Sequence, residues 1–253
     1  MSLKFSAKAH RYWMDGKPAP GVTTILGKGI PKPAIPYWAA RTVAEYVADE
    51  PEKVEALRAA GRDPMVAALK GVPWTKRDEA AVRGTAVHDL AERVIHGEAV
   101  EVPEHLAGYV EGYVRFLDEF GVEPILTEKS VGNREHWYAG RFDAIVRIPR
   151  WRGGVGLLDL KTSTGVYGET ALQNAAYAHA EFYVEDDDPN TEIPLPEIDW
   201  IAVAHVTEYG TSLYDLGDKG AAFAEFLAAK KVADTTDRRK NLIGDPVQIG
   251  EVA

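Results

Sequence analysis

The chain has 253 residues, of which 45% are hydrophobic and 27% charged, which is ordinary for a globular protein with one large domain or a core with a sizeable elaboration. The absence of cysteine excludes disulfides, thiolate zinc sites, iron–sulfur clusters and thiol nucleophiles. A formal net charge of -10 argues against a protein that coats nucleic acid through bulk electrostatics. Because the chain lacks a run of about 18 apolar residues and begins without the apolar stretch of a secretory signal, we expect no membrane span and a cytoplasmic location.

The acidic excess is distributed unevenly along the chain. Glu185-Asp186-Asp187-Asp188 and the Pro/Glu-rich stretch up to Asp199 predict an exposed acidic loop. Basic residues are frequent before this loop, at Lys28, Lys32, Arg41, Lys70, Lys76, Arg77 and Arg83. A local positive groove is compatible with this distribution, so the net charge does not exclude an enzyme that acts on nucleic acid.

The N-terminal part of the chain predicts a small β-structure followed by helices. Residues 1–36 have the pattern of a short strand or hairpin, with Asp15-Gly16 as a turn, and then a Pro/Gly-rich connector. Residues 22–26 are compatible with a helix or a strand, and we favour the helix. Helical spacing continues over residues 36–50 and 51–60, which Pro51 separates.

Two stronger helices and a series of strands follow. Apolar residues recur at helical spacing over Asp78–Ile95 and again from Leu106 to Phe120. The remaining predicted elements are strands at 125–131, 137–148, 156–162, 200–206 and 212–216, and helices at 169–184 and about 219–233. This order predicts a mixed α/β (α+β) core, a central sheet flanked by helices. We expect an N-terminal helical elaboration over 1–80, the core over 81–235 and a tail over 236–253.

Three charged residues on two successive predicted strands point to chemistry. Asp143 ends the segment Gly-Arg-Phe-Asp, and Asp159 and Lys161 lie on the next strand. Alternation along that strand projects Asp159 and Lys161 to one face and Leu158 and Leu160 to the other. A tight connection between the two strands would bring the carboxylates close together.

This combination suits the hydrolysis of a phosphodiester. Two carboxylates can hold a hard divalent cation, and a nearby ammonium can steady an attacking water or a developing phosphate charge. A purely structural interpretation is also open: Lys161 would form an ion pair with Asp159, and Asp143 would hydrogen-bond the backbone at a strand end.

Four further residues are candidates for the same site. Gln173 and Tyr177 share one helical face shortly after Lys161, where they would hold a phosphate, a base or a water, or would form an ordinary surface pair or the edge of the core. His88 is either a ligand or a solvated bystander on its helix. Glu128, on the strand before Asp143, would reach the site or line the sheet edge.

Taken together, four motifs resemble the PD-(D/E)XK nuclease superfamily, in particular its RecB-like exonuclease branch. They are, in family order, Gly84-x-x-x-His88, Gly140-Arg141-Phe142-Asp143, Asp159-Leu160-Lys161-Thr162-Ser163 and Gln173-x-x-x-Tyr177. The likeness spans about residues 80–180, with Trp200–Val206 as a later core strand. The opening segment, from His10-Arg11-Tyr12 to Ile25, is similar to phage-encoded members. Some relatives carry a four-cysteine iron–sulfur cluster, so this cysteine-free chain resembles the cluster-free subgroup.

The resemblance implies a restriction-endonuclease-like core, in which helices flank a mixed central sheet and a metal site lies at one edge. It implies that Asp143 and Asp159 ligate Mg²⁺ or Mn²⁺. His88 and the backbone carbonyl of Leu160 would be further ligands.

The resemblance also implies that Lys161 orients or helps to deprotonate the hydrolytic water, and that Gln173 and Tyr177 complete the site against the DNA. We therefore expect a metal-dependent DNA exonuclease that works in phage replication or recombination. DNA is the expected partner, and analogy adds a phage strand-annealing protein and a homo-oligomer. Two other functions stay open: a non-catalytic DNA-binding or accessory module on the same fold, and a structure- or site-specific endonuclease.

Overall fold

The structure, a computed structural model, describes residues 2–6, 11–236 and 238–246, so His10 and residues 237 and 247–253 of the expected tail lie outside the described residues. The strands are β1 (Leu3–Ser6), β2 (Arg11–Met14), β3 (Lys17–Ala19), β4 (Glu123–Asn133), β5 (Tyr138–Ile148), β6 (Arg152–Lys161), β7 (Phe182–Val184), β8 (Ile193–Pro194), β9 (Trp200–Thr207) and β10 (Gly210–Asp215). The helices are α1 (Val22–Gly29), α2 (Ala34–Asp49), α3 (Pro51–Ala59), α4 (Arg62–Ile95), α5 (Ala107–Phe120), α6 (Glu169–Ala178) and α7 (Lys219–Thr236).

The central sheet has its strands in the order β10-β9-β6-β5-β4-β7-β8. Neighbouring strands are antiparallel except for β6 and β9, which pair in parallel. A parallel pair needs a crossover connection, and α6 lies in the connection between these two strands. A smaller antiparallel sheet, β1-β2-β3, packs beside β4 and β5.

Helices cover both faces of the central sheet. On one face, α1, α6 and α7 pack over a core that includes Phe142, Leu157 and Ile201. On the other face, α4 and α5 pack over a second core that includes Leu158 and Leu160. Adjacent residues of β6 therefore enter opposite cores, as the alternation of side chains along a strand requires. The predicted α+β core, a mixed sheet flanked by helices, is confirmed.

Helix α4 joins the N-terminal helices to this core. It is 34 residues long and continues through Pro73, and its buried residues Val87 and Ala91 belong to the core beneath β6 and β9. The helices α2 and α3 also pack against α4, and they bury little: Thr42 in α2 and Val54 in α3. The helix passes without a break through the expected boundary between residues 80 and 81.

Most predicted elements are present, with differences at their ends. Residues 22–29 form the helix that the sequence favoured, and Asp15 and Gly16 form a hairpin turn with φ of 51° and 74°. The predicted helix over 169–184 is wrong at its end, because α6 stops at Ala178 and the buried residues Phe182–Val184 pair with β4. No helix in the described part of the chain has both the length and the apolar character that crossing a bilayer requires.

Candidate active site

The site forms where β5 and β6 separate. The antiparallel ladder pairs Ala144 with Leu158, and one step further along the same register Asp143 stands opposite Asp159. The carboxylate of Asp143 takes the place of a ladder carbonyl there, since its Oδ2 accepts a 2.7 Å hydrogen bond from the Leu160 backbone N–H. The topology thus brings the two carboxylates of adjacent strands together, as the tight connection between them predicts.

Lys161, at the end of β6, places its ammonium beside these carboxylates. Its Nζ lies 2.5 Å from Asp159 Oδ2, and the Asp159 side chain is only 1% exposed. The same oxygen makes no well-directed hydrogen bond to any of the described residues. Buried carboxylate oxygens are normally fully hydrogen-bonded, so an oxygen with only an ion-pair neighbour has capacity for a further ligand.

Helix α6 supplies Gln173 and Tyr177 to the same strand end. The Gln173 Nε2 donates to Asp159 Oδ1 at 3.2 Å and lies 3.4 Å from the Tyr177 hydroxyl. Tyr177 is buried, and its ring occupies the space above Gly140, where an added Cβ would come within 2.3 Å of the ring. Glycine is therefore required in the Gly-Arg-Phe-Asp motif, because this position must admit the tyrosine.

His88 approaches from the opposite face of the sheet on α4. Its Nδ1 lies 3.7 Å from Asp143 Oδ2. One turn earlier on α4, Gly84 faces the loop after β6, where a Cβ would meet the Thr162 hydroxyl at 3.3 Å. The small residue lets α4 run close to the strand end, and this closeness brings the imidazole to the carboxylates.

Glu128 enters the site through an irregularity in β4. The β4–β5 register pairs Thr127 with Ala144 and Lys129 with Phe142, so Glu128 stands opposite Asp143, and its φ is 49°. Positive φ is unfavourable for a glutamate, and such backbone strain is often found at functional sites. Of the two alternatives open for this residue, the structure places it in the cleft.

The three residues His88, Glu128 and Asp143 form a potential metal-binding group. One ligand atom from each lies within 4.8 Å of the others. They line a cleft of about 550 Å³, which Gly84, Thr85, Asp89, Glu92 and Arg141 also border. Asp159 is not part of this metal-binding group, because it belongs to the adjoining ion pair with Lys161. Asp143 interacts with both the metal-binding group and the ion pair.

The electrostatics of the site reflect concentrated, buried negative charge. Burial and the neighbouring Asp159 raise the pKa of Asp143 to about 7, and burial also raises the pKa of Glu128. Burial and the nearby Lys161 lower the pKa of His88, so its imidazole is neutral at pH 7. Burial opposes the charged form of Lys161, but the Asp159 and Asp143 carboxylates outweigh it and raise the pKa of the amine.

Arg141 and the acidic loop were not recognised as neighbours of the site from the sequence. Arg141 Nε donates to Glu128 at 2.7 Å, and the other guanidinium nitrogens hold both carboxylate oxygens of Asp186 at 2.8 and 3.0 Å. Glu185 pairs with Lys129 on β4 at 2.6 Å. Two acids of the loop therefore neutralise cations beside the cleft, although Asp186 itself is exposed, as predicted. No short-range pattern indicates this contact, which joins residues 45 positions apart.

No protein-family model matches the chain, and no curated protein matches it. The chemistry of the cleft is therefore inferred from its own residues. The structure brings together all of the residues singled out from the sequence: His88, Asp143, Asp159, Leu160, Lys161, Gln173 and Tyr177. It also places Glu128 in the site, whereas the sequence left open whether this residue reaches the site or lines the sheet edge.

Proposed function

We propose that the chain is a divalent-metal-dependent deoxyribonuclease of the PD-(D/E)XK type, and that it acts as an exonuclease. One observation carries this proposal: Asp143, Asp159 and the Lys161 ammonium converge at the end of two neighbouring strands, next to an open cleft with further ligand atoms. Stability alone does not account for such a cluster, because burying two carboxylates and an amine is costly. The phage setting rests on the resemblance of the opening segment.

The donor set fits Mg²⁺ or Mn²⁺. Carboxylate and carbonyl oxygens with one neutral imidazole are hard or borderline ligands that suit these cations. His88, Glu128 and Asp143 have ligand atoms within 4.8 Å of one another, and the buried Asp159 Oδ2 lacks a directed hydrogen bond. The backbone carbonyl of Leu160 is the remaining candidate. When bound, the cation would stabilise negative charge on the phosphate oxygens and on the leaving group.

The chain's own residues orient the reaction. With its pKa raised, Lys161 is an ammonium at neutral pH, so it donates hydrogen bonds to a water or to a phosphate oxygen and does not accept a proton. Gln173 holds Asp159 through one amide hydrogen and so fixes the carboxylate to which Lys161 is paired. Tyr177 keeps its proton because burial raises its pKa well above the ordinary value, which leaves its hydroxyl as a hydrogen-bond donor.

An assay with end-labelled linear DNA tests the proposal. We expect mononucleotides or short products with Mg²⁺ or Mn²⁺, and no products with EDTA. Cleavage that persists in EDTA, or no cleavage by wild-type protein with either metal, would contradict the proposal; in the second case, DNA binding without cleavage would favour the accessory module. A covalently closed circle of the same sequence separates the two nuclease alternatives, since an exonuclease leaves it intact and an endonuclease opens it.

A further inference from the structure

The cations along α4 differ from those on the preceding helices. In α2, α3 and the start of α4, each Lys or Arg is ion-paired with a nearby acid: Arg41 with Glu45, Lys53 with Glu50, Arg58 with Glu55, and Arg62 with Asp63. From residue 64 to residue 77, α4 carries three cations, Lys70, Lys76 and Arg77, and no acid. Lys70 and Lys76 have no ion pair with any residue in the described ranges. In a chain of net charge -10, this segment is a local positive surface.

Two of these cations and one tryptophan form a stripe, which we name the α4 stripe: Lys70, Trp74 and Arg77. They are spaced by four and three positions, so they lie on one side of the helix. The same spacing leads through the exposed Ala81 to Gly84 and His88, which line the cleft. At 1.5 Å per residue, Arg77 lies roughly 16 Å, and Lys70 roughly 27 Å, along the helix from His88.

The centre of the α4 stripe is an exposed aromatic ring. Trp74 is 54% exposed, although a tryptophan is among the most favourable residues to bury. The Arg77 guanidinium lies 4.8 Å from the centre of its ring and fixes the ring from one side. Arg77 also contacts Asp78 at 2.6 Å, but both side chains are more than half exposed, so that pair is weak and exchangeable.

We propose that the α4 stripe binds an unpaired DNA strand and leads it to the cleft, so that the substrate of this site is single-stranded or single-strand-tailed DNA. The inference rests on the proposed nuclease function and names its substrate class. An exposed tryptophan offers a stacking surface for a base, and bases are accessible for stacking only when they are unpaired. Lys70 and Arg77 flank the ring with the charge that the phosphates require.

Charge and direction favour this occupant over a protein partner. The α4 stripe combines one aromatic ring with two cations, one of them a lysine, and lysine is depleted at protein–protein interfaces. The face of α4 that carries the stripe continues to Gly84 and His88, which line the cleft where the scissile phosphate would bind. The stripe extends roughly 27 Å from His88, which corresponds to about eight nucleotides at the 3.4 Å rise of one strand, and an extended strand would cover it with fewer.

Fluorescence anisotropy with a labelled oligothymidylate of about 20 nucleotides tests the inference, with the full chain in EDTA so that binding is measured without cleavage. We expect Trp74→Ala to weaken binding roughly 5- to 150-fold and Trp74→Phe to retain most of it, because the phenyl ring still stacks. Lys70→Ala should lower the slope of log Kd against log salt by about 0.7. A blunt duplex of the same length should bind more weakly and should not distinguish Trp74→Ala from wild type.

Lys76→Ala is the matched control, since Lys76 is also exposed and unpaired among the described residues but lies on another side of α4. Lys76→Ala should bind as wild type. Binding by Trp74→Ala and Lys70→Ala within twofold of wild type would overturn the inference, and so would an equal loss in Lys76→Ala, which would reflect net charge alone. Because the binding assay contains no metal, its results do not depend on cleavage. The binding inference and the nuclease proposal can therefore fail independently.

Discussion

The ion pair beside the cleft and the ion pair on α2 have similar lengths and very different surroundings. Lys161 lies 2.5 Å from Asp159, whose side chain is 1% exposed. On α2, Arg41 lies 2.7 Å from Glu45, and 79% and 48% of the two side chains are exposed. Water screens the exposed pair, whereas the buried pair has lost its hydration without full compensation. The N···O distance of an ion pair therefore says little about its contribution to stability. An ion pair whose burial destabilises the fold is the better candidate for a catalytic role.

The largest effect is expected from the buried pair. Asp159→Asn keeps the shape of the side chain and the acceptor for Gln173 but removes the charge, and Lys161→Met removes the ammonium. Each change should lower the rate of DNA hydrolysis with Mn²⁺ roughly 10²–10⁴-fold, measured with end-labelled linear DNA.

A second ion pair of the core elements provides the control for this prediction. Lys230 and Asp234 lie 2.7 Å apart on α7, and Lys230 is only 13% exposed. Asp234→Asn and Lys230→Met should hydrolyse DNA at the wild-type rate. Full activity in the folded Asp159→Asn variant would contradict the assignment of the site.

A variant of Asp143 tests whether the buried charge in the cleft lowers the stability of the fold. Its pKa is raised to about 7, so the metal-free folded protein favours the protonated form of this carboxyl. The contribution of that form to the free energy of unfolding is complete below about pH 4 and is lost as the pH rises through 7. In EDTA, Asp143→Asn should therefore be as stable as wild type near pH 4 and more stable by about 1–3 kcal/mol at pH 8. Urea unfolding at several pH values measures the difference. A variant that is less stable than wild type at pH 8 would refute this interpretation.

Glu128 tests how far the metal-binding group extends beyond the motifs. If its carboxylate is a ligand, Glu128→Gln should raise the Mn²⁺ concentration for half-maximal activity about 10-fold and change the rate at saturating metal much less. Glu92→Gln is the matched control, because Glu92 lines the same cleft but lies outside the three-residue group. Equal shifts in both variants would indicate a general effect of negative charge.

The smallest effect is expected from the exposed pair. Arg41→Ala should change the free energy of unfolding by less than about 0.5 kcal/mol, because an exposed pair of residues four apart on a helix contributes little. Urea unfolding in low and high salt measures it. A change of 2 kcal/mol or more would mean that α2 depends on this contact, and the contrast with the cleft would no longer hold.

The sequence was most informative where chemistry and periodicity coincide. Alternation on β6 predicted the opposite faces of Leu158 and Asp159, and the cores on the two sides of the sheet confirm the predicted architecture. The closeness of Asp143 and Asp159 followed from the short connection between their strands. The spacing of Gln173 and Tyr177 predicted only that they share a helical face, and their place in the site was suggested by their position shortly after Lys161 and by the resemblance.

Long-range contacts were not readable in the same way. The position of Glu128 opposite Asp143 depends on the register between β4 and β5, which no local pattern specifies. The end of α6 at Ala178 was missed because the following residues, Phe182–Val184, bury themselves by pairing with β4. The acidic loop was predicted as exposed, but its contact with Arg141 required the fold.

By itself, the sequence determined the fold class and the identity of the charged residues, because periodic burial and residue chemistry are local properties of the chain. Only the tertiary structure decided which atoms meet: that Asp143 replaces a ladder carbonyl for Leu160, and that His88 arrives from the opposite face of the sheet. The tertiary structure also decided which charges are costly, since pKa values and ion-pair energies depend on the water that folding removes around each group.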